Sequence, residues 1–160
     1  MDIKKAIEMY FDKLETKKKE LDLEQVDVYF PERPRTQNKV FDFEEIEKTL
    51  GFKIHDSIKE YYNAYNFEYI EGIFGGRYLQ LDGTDIDTNI PHYIKWRFDY
   101  CAAEHFLKDH RYYLIGDTDC QSVMVNNDTG EVTAVIGYES NSQHLADSLS
   151  ELVSNITMEC

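Results

Sequence analysis

The sequence predicts an α+β fold: a single domain with a mainly antiparallel sheet of about five or six strands, flanked by N-terminal helices, one middle helix and a C-terminal helix. Three observations predict it. Apolar residues recur at helical spacing in the first third of the chain. From Phe67 onward the period shifts to two, and turn residues separate the short alternating runs. One apolar helical stripe then closes the chain. Helices first, then strands in consecutive hairpins, then a helix, is not the βαβ alternation of a parallel sheet. At 160 residues, 42% hydrophobic and 14% aromatic, the chain has the size of one domain and the material for a substantial core. It contains no Gly/Ser linker, internal repeat or low-complexity tract.

The elements follow in order. In residues 3–20, Ile3, Ile7, Tyr10, Phe11 and Leu14 share one helical face. Lys17, Lys18 and Lys19 close that helix with charge favourable to its dipole. Residues 26–30 alternate like a short strand, which Pro31 and Pro34 then break. Asp42 is placed to cap a second helix, with Glu45 as its capping-box partner. Phe43, Ile46 and Leu50 form its stripe, and Gly51 ends it. Asp56 is placed to cap a third helix, lined by Ile58, Tyr61, Tyr62 and Tyr65 and closed by Asn66.

Residues 67–74 and 77–81 read as a hairpin turning at Gly75 and Gly76. Residues 82–85 are loop. Pro91 suits the first turn of a helix. In that helix Ile94, Phe98, Cys101, Ala102 and His105 share one face, and Tyr93, Trp96 and Tyr100 another. Residues 112–115, 122–125 and 131–136 read as three more strands of the same sheet. Residues 126–130 form a hairpin loop with Gly130 at a left-handed position. The last helix is expected over about residues 144–156, packing on the sheet through Leu145, Leu149 and Leu152.

Charge narrows the function. The chain carries 17 basic and 31 acidic side chains, a net charge of −14. Residues 1–60 hold twelve of the basic and fifteen of the acidic groups, so the remainder is far more acidic. After Arg111 no Lys or Arg occurs, while eight acids follow. Such a chain does not neutralise phosphates, so no nucleic-acid partner is expected. An acidic field instead attracts basic partners and speeds their association. No apolar run approaches the ~20 residues of a membrane span, so no membrane insertion is expected. The charged N-terminus has no signal-peptide character, and a cytoplasmic location follows as an expectation. Cys101, Cys120 and Cys160 are an odd number without a CxxC pair, as for free thiols in a reducing compartment.

Catalytic and metal motifs are absent. There is no GxGxxG, P-loop, HExxH or GxSxG pattern. The string from Asp85 opens like a calcium loop but has Ile90 where Gly is needed and Trp96 where Glu is needed. His55, His92, His105, His110 and His144 are scattered singly, without ligand-like helical spacing. Asp117 and Asp119 read as turn residues of a loop between strands. The sequons at Asn127 and Asn155 carry no weight in a cytoplasmic chain. No enzyme activity, cofactor or metal is expected.

The order and spacing of these segments resemble a known family. The strand pair with "NNDTGEVTAV", a variable stretch and then "HLADSLSELVSNI" is similar to the C-terminal half of the SUKH superfamily. Within it the likeness is to Syd-type proteins, whose closing helix carries a His-Leu-Ala-x-Ser-Leu-x-Glu pattern, here His144, Leu145, Ala146, Ser148, Leu149 and Glu151. "IEKTLGFKIHDSIKEYYNAYNF" followed by "GIFGGRYLQL" resembles the family's helix, turn, helix and first hairpin. The resemblance covers roughly residues 43–156. A Gly-rich stretch common after Asp117 is replaced here by Thr118-Asp119-Cys120-Gln121. The resemblance implies a bacterial immunity protein that binds and neutralises a polymorphic, nuclease-type toxin. The alternative it implies is a Syd-like protein that binds basic cytoplasmic loops of the SecY channel. Either partner is a basic protein. The candidate binding residues are acids in and beside the first hairpin and before the fourth strand: Glu68, Glu71, Asp82, Asp85, Asp87, Asp117 and Asp119. They are expected on one concave side.

Overall fold

In the computed structural model, which describes residues 1–21, 33–104, 111–136 and 142–158, five helices and six strands follow one another. Helix α1 (Ile3–Glu20) buries Ile3, Ala6, Ile7, Tyr10, Phe11 and Leu14, the stripe its spacing predicts. The Asp2 side chain caps it by accepting from the Lys5 amide. Helix α2 (Phe43–Leu50) starts at Asp42, whose carboxylate accepts from the Glu45 amide, and ends at Gly51.

Helix α3 (Asp56–Ala64) corrects one expectation. Its cap is His55 rather than Asp56: the imidazole Nδ1 accepts from the Ser57 amide. Asp56 is the first helical residue, and an acid there suits the dipole without capping. The helix also stops before Tyr65, so its buried stripe is Ile58, Tyr61 and Tyr62.

The strands are β1 (Tyr69–Phe74), β2 (Arg77–Asp82), β3 (Tyr112–Thr118), β4 (Gln121–Asn126), β5 (Val132–Val135) and β6 (Gln143–Ala146). They form one antiparallel sheet in sequence order. Gly75 and Gly76, with φ of +58° and +79°, make the β1–β2 turn that only glycine enters without strain. Arg77 opens β2 and Gln143 opens β6, which in a flat sheet would lie about 19 Å apart. Their side chains nevertheless bond at 2.5 Å, so the sheet curls.

β6 is the main departure from expectation. Residues 143–146 are a strand, and the closing helix α5 (Leu149–Ser154) is only six residues long. Ser148 is the cause: its hydroxyl accepts from the Glu151 amide and starts the helix there. Leu145 therefore lies on β6, while Leu149, Leu152 and Val153 supply the buried face of α5.

Helix α4 (Ile90–Glu104) joins β2 to β3 and has Pro91 in its first turn. Asn89 accepts from the His92 amide at 3.1 Å and so starts it. The β2–β3 pairing is short, confined to Gln80 with Asp117 and Leu81 with Gly116. Beside it α4 serves two cores. Ile94 and Phe98 enter the main one, with Phe98 against Tyr113 at 4.8 Å. Cys101 joins a smaller cluster with Tyr112, Leu114, Met124 and Val135. Trp96 is exposed. The main core gathers Tyr10, Phe11, Ile58, Tyr61, Tyr62, Leu79, Leu81, Leu149 and Leu152 from helices and sheet alike. No described helix is long and apolar enough to cross a membrane. The strand read at 26–30, His105, His110 and Cys160 lie outside the described residues.

Candidate functional site

Strand register decides which acids meet. Successive side chains of a strand point to opposite faces. Leu79 and Leu81 of β2 enter the main core, so Tyr78, Gln80 and Asp82 point to the other face. Across the ladder Glu71 pairs with Gln80, and Gln80 pairs with Asp117. Asp117 in turn pairs with Ser122. Glu71, Gln80, Asp117 and Ser122 thus form one row across four strands. Neighbouring strands lie about 4.8 Å apart, which puts Glu71 and Asp117 about 10 Å apart on either side of Gln80. Tyr78 flanks the row on the same face.

The row is linked by hydrogen bonding. The Tyr78 hydroxyl donates to Glu71 Oε2 at 2.5 Å. Partial burial, that bond and the charges of Glu71 and Asp117 all hold the Tyr78 hydroxyl well above its ordinary pKa. Glu71, which breaks the apolar pattern of β1, thus meets a phenol. Tyr78 as a residue is 41% exposed, one of few exposed large hydrophobic residues among those described.

The other five acids divide. Asp82, on the same face two residues beyond Gln80, binds Arg97 Nη1 at 2.5 Å. Burial raises its pKa, and the guanidinium opposes the rise. Arg97 also donates to the Tyr93 hydroxyl and lies over the Tyr93 and Trp96 rings at 4.8 and 4.9 Å. Asp85 lies 3.6 Å from Arg35 and accepts from Asn66. Asp87 lies 3.4 Å from Lys39. Both belong to the segment between β2 and α4, facing the stretch before α2. Asp119 occupies the exposed β3–β4 turn with φ of +39°. Glu68 is exposed just before β1. Asp117 itself is a strand residue of β3, not the loop residue its neighbours suggest.

The seven acids are therefore distributed over the sheet face, the β2–α4 segment, the β3–β4 turn and the approach to β1. Among the described residues, Glu71 and Asp117 pair with no Lys or Arg, whereas Asp82, Asp85 and Asp87 each have one. The patch most open to a basic partner is Glu71, Tyr78, Gln80 and Asp117. Tyr78 and Gln80 were legible in principle: once Leu79 and Leu81 are inward, the alternation in "RYLQLD" turns Tyr78, Gln80 and Asp82 outward.

No protein-family model matches the chain, and no curated protein matches it.

One further cluster joins a histidine, which the sequence leaves standing singly, to two carboxylates. Glu131, His144 and Asp147 bring one ligand atom each within 4.8 Å of one another. His144 Nε2 and Asp147 Oδ1 are 3.1 Å apart. The sequence reading missed the trio because it placed His144 on a helix; on β6, His144 sits opposite Thr133, close to where Glu131 leads into β5. All three side chains are exposed.

Proposed function

We propose that the chain is a protein-binding module, not an enzyme, and that its partner is a basic protein docked on the Glu71–Asp117 face. Following the SUKH resemblance, the partner is a nuclease-type toxin that the chain neutralises. The observation that carries the reading is a pair of carboxylates that no Lys or Arg among the described residues meets, on a sheet face of a chain with net charge −14. A nuclease toxin needs basic groups to hold its phosphate substrate. An acidic face that covers those groups blocks the substrate and accelerates the encounter. Acids already tied to Arg35, Lys39 or Arg97 contribute less, because their fields are compensated within the chain.

The test is a search of the adjacent genes for a toxin domain, then co-expression with that domain and binding kinetics of the purified pair. Growth rescue and a complex that weakens as salt rises support the proposal. The double variant Glu71→Lys/Asp117→Lys is expected to slow association at least about tenfold, and Asp85→Lys/Asp87→Lys much less. Failure to rescue growth overturns immunity. Binding to basic SecY loops without any effect on toxicity establishes the Syd-like alternative in its place.

A further inference from the structure

Within the basic-partner reading, on which this step rests, the face distinguishes one cation from another. We propose that the partner's contact over Gln80 is an arginine side chain, its guanidinium spanning Glu71 and Asp117 with the Tyr78 ring as its platform.

Three features carry it. First, the acceptors form a row, not a point. Glu71 Oε2 takes the Tyr78 hydroxyl, and among the described residues Oε1 has no hydrogen-bond donor. Gln80 lies directly between Glu71 and Asp117 in the ladder and has a side-chain amide oxygen to offer. A planar guanidinium with five donors matches spread acceptors, whereas an ammonium ion is a compact charge with three donors. Second, Tyr78 stands on the same face and is an exposed residue. Its hydroxyl is held by Glu71, so the ring is fixed beside the carboxylate. A guanidinium stacks on such a ring better than an ammonium does. Third, the same chemistry occurs within the chain. Arg97 is held by a carboxylate (Asp82), a tyrosine hydroxyl (Tyr93) and two aromatic rings, Tyr93 and Trp96. Glu71, Asp117 and Tyr78 offer carboxylates and an aromatic ring of the same kind, and no Lys or Arg among the described residues meets them.

The experiment uses the full chain and two probes of equal charge, hexa-arginine and hexa-lysine peptides, titrated at physiological salt. Hexa-arginine is expected to bind about three- to fivefold more tightly. Tyr78→Leu should bring hexa-arginine down to the hexa-lysine level, while Tyr78→Phe, which keeps the ring, should retain most of the preference. Glu71→Gln/Asp117→Asn should weaken both peptides, and Asp85→Lys/Asp87→Lys should leave the preference in place. Circular dichroism establishes that each variant folds. Equal affinity for the two peptides, or a preference that survives Tyr78→Leu, overturns the arginine assignment and leaves the basic-partner reading intact. Binding of neither peptide overturns both.

Discussion

The Tyr10 hydroxyl closes both backbone groups of Glu71: it accepts from the Glu71 amide at 2.9 Å and donates to the Glu71 carbonyl at 2.8 Å. β1 is an edge strand, and an edge exposes unpaired N–H and C=O groups. Helix α1 thus covers the edge with a side chain, at the residue whose carboxylate joins the proposed interface. Tyr10→Phe leaves both groups without that partner. It should cost about 1–3 kcal/mol in urea unfolding and speed amide exchange at Glu71. Unchanged stability would mean that water replaces the phenol without loss.

Two residues further on, the segment after α5 covers the same edge, with Ile73 and Thr157 exchanging backbone bonds at 2.8 and 2.9 Å. Gly72 allows the approach. A Cβ there would lie 2.5 Å from both Ile156 Cγ2 and the Thr157 carbonyl oxygen. Gly72→Ala should therefore displace residues 156–158 and destabilise the fold by about 1–3 kcal/mol. Protection of the Thr157 amide in hydrogen exchange reads this directly; full protection in the variant would refute the packing argument.

The tyrosine core predicts an alkaline limit. Tyr62 and Tyr113 are fully buried, and their hydroxyls bond to each other at 2.5 Å. Burial raises both, together with Tyr61, above the ordinary value of 10.0. Where the folded chain keeps protons that the unfolded chain releases, stability falls as pH rises. This contribution is whole below pH 10 and is lost above it. Tyrosinate absorbance from these residues should appear only together with loss of the circular dichroism signal. Ionisation of all twelve tyrosines near pH 10 in a folded chain would contradict it.

The thiols should separate by reactivity. Burial pushes the Cys101 thiol up to about 12, with Arg97 opposing weakly, and its side chain is inaccessible. Cys120 is exposed in the β3–β4 turn. Only a thiolate attacks an alkylating agent, so at pH 8 iodoacetamide should modify Cys120 and spare Cys101 until the chain unfolds. Peptide mapping by mass spectrometry checks this. Rapid labelling of Cys101 in native conditions would show that α4 opens.

Much of the architecture is local, and so it was legible in the residues. The α1 stripe, the Asp42 cap, the Gly51 stop and the Gly75–Gly76 turn each depend on a few neighbouring residues and hold in the structure. The errors have local rivals as their cause. His55 competes with Asp56 for the α3 cap, and "HLADSLSELV" has a helical stripe that continues backward through Leu145. The Ser148 cap and the pairing of β6 with β5 end that continuation.

The sequence by itself determined the α+β class, the order of the elements from α2 through β5 and the acidity of the chain, because periodicity, turn chemistry and charge reside in short stretches of chain. Tertiary structure alone decided which acids stand together. Glu71 and Asp117 are 46 positions apart and meet through Gln80, while Asp85 and Asp87, nearer to Glu71 in sequence, turn to Arg35 and Lys39. The physical reason is that strand register and ion pairing join residues distant in the chain. No short-range pattern carries that information, and a shift of one residue in register would send every side chain of a strand to the other face.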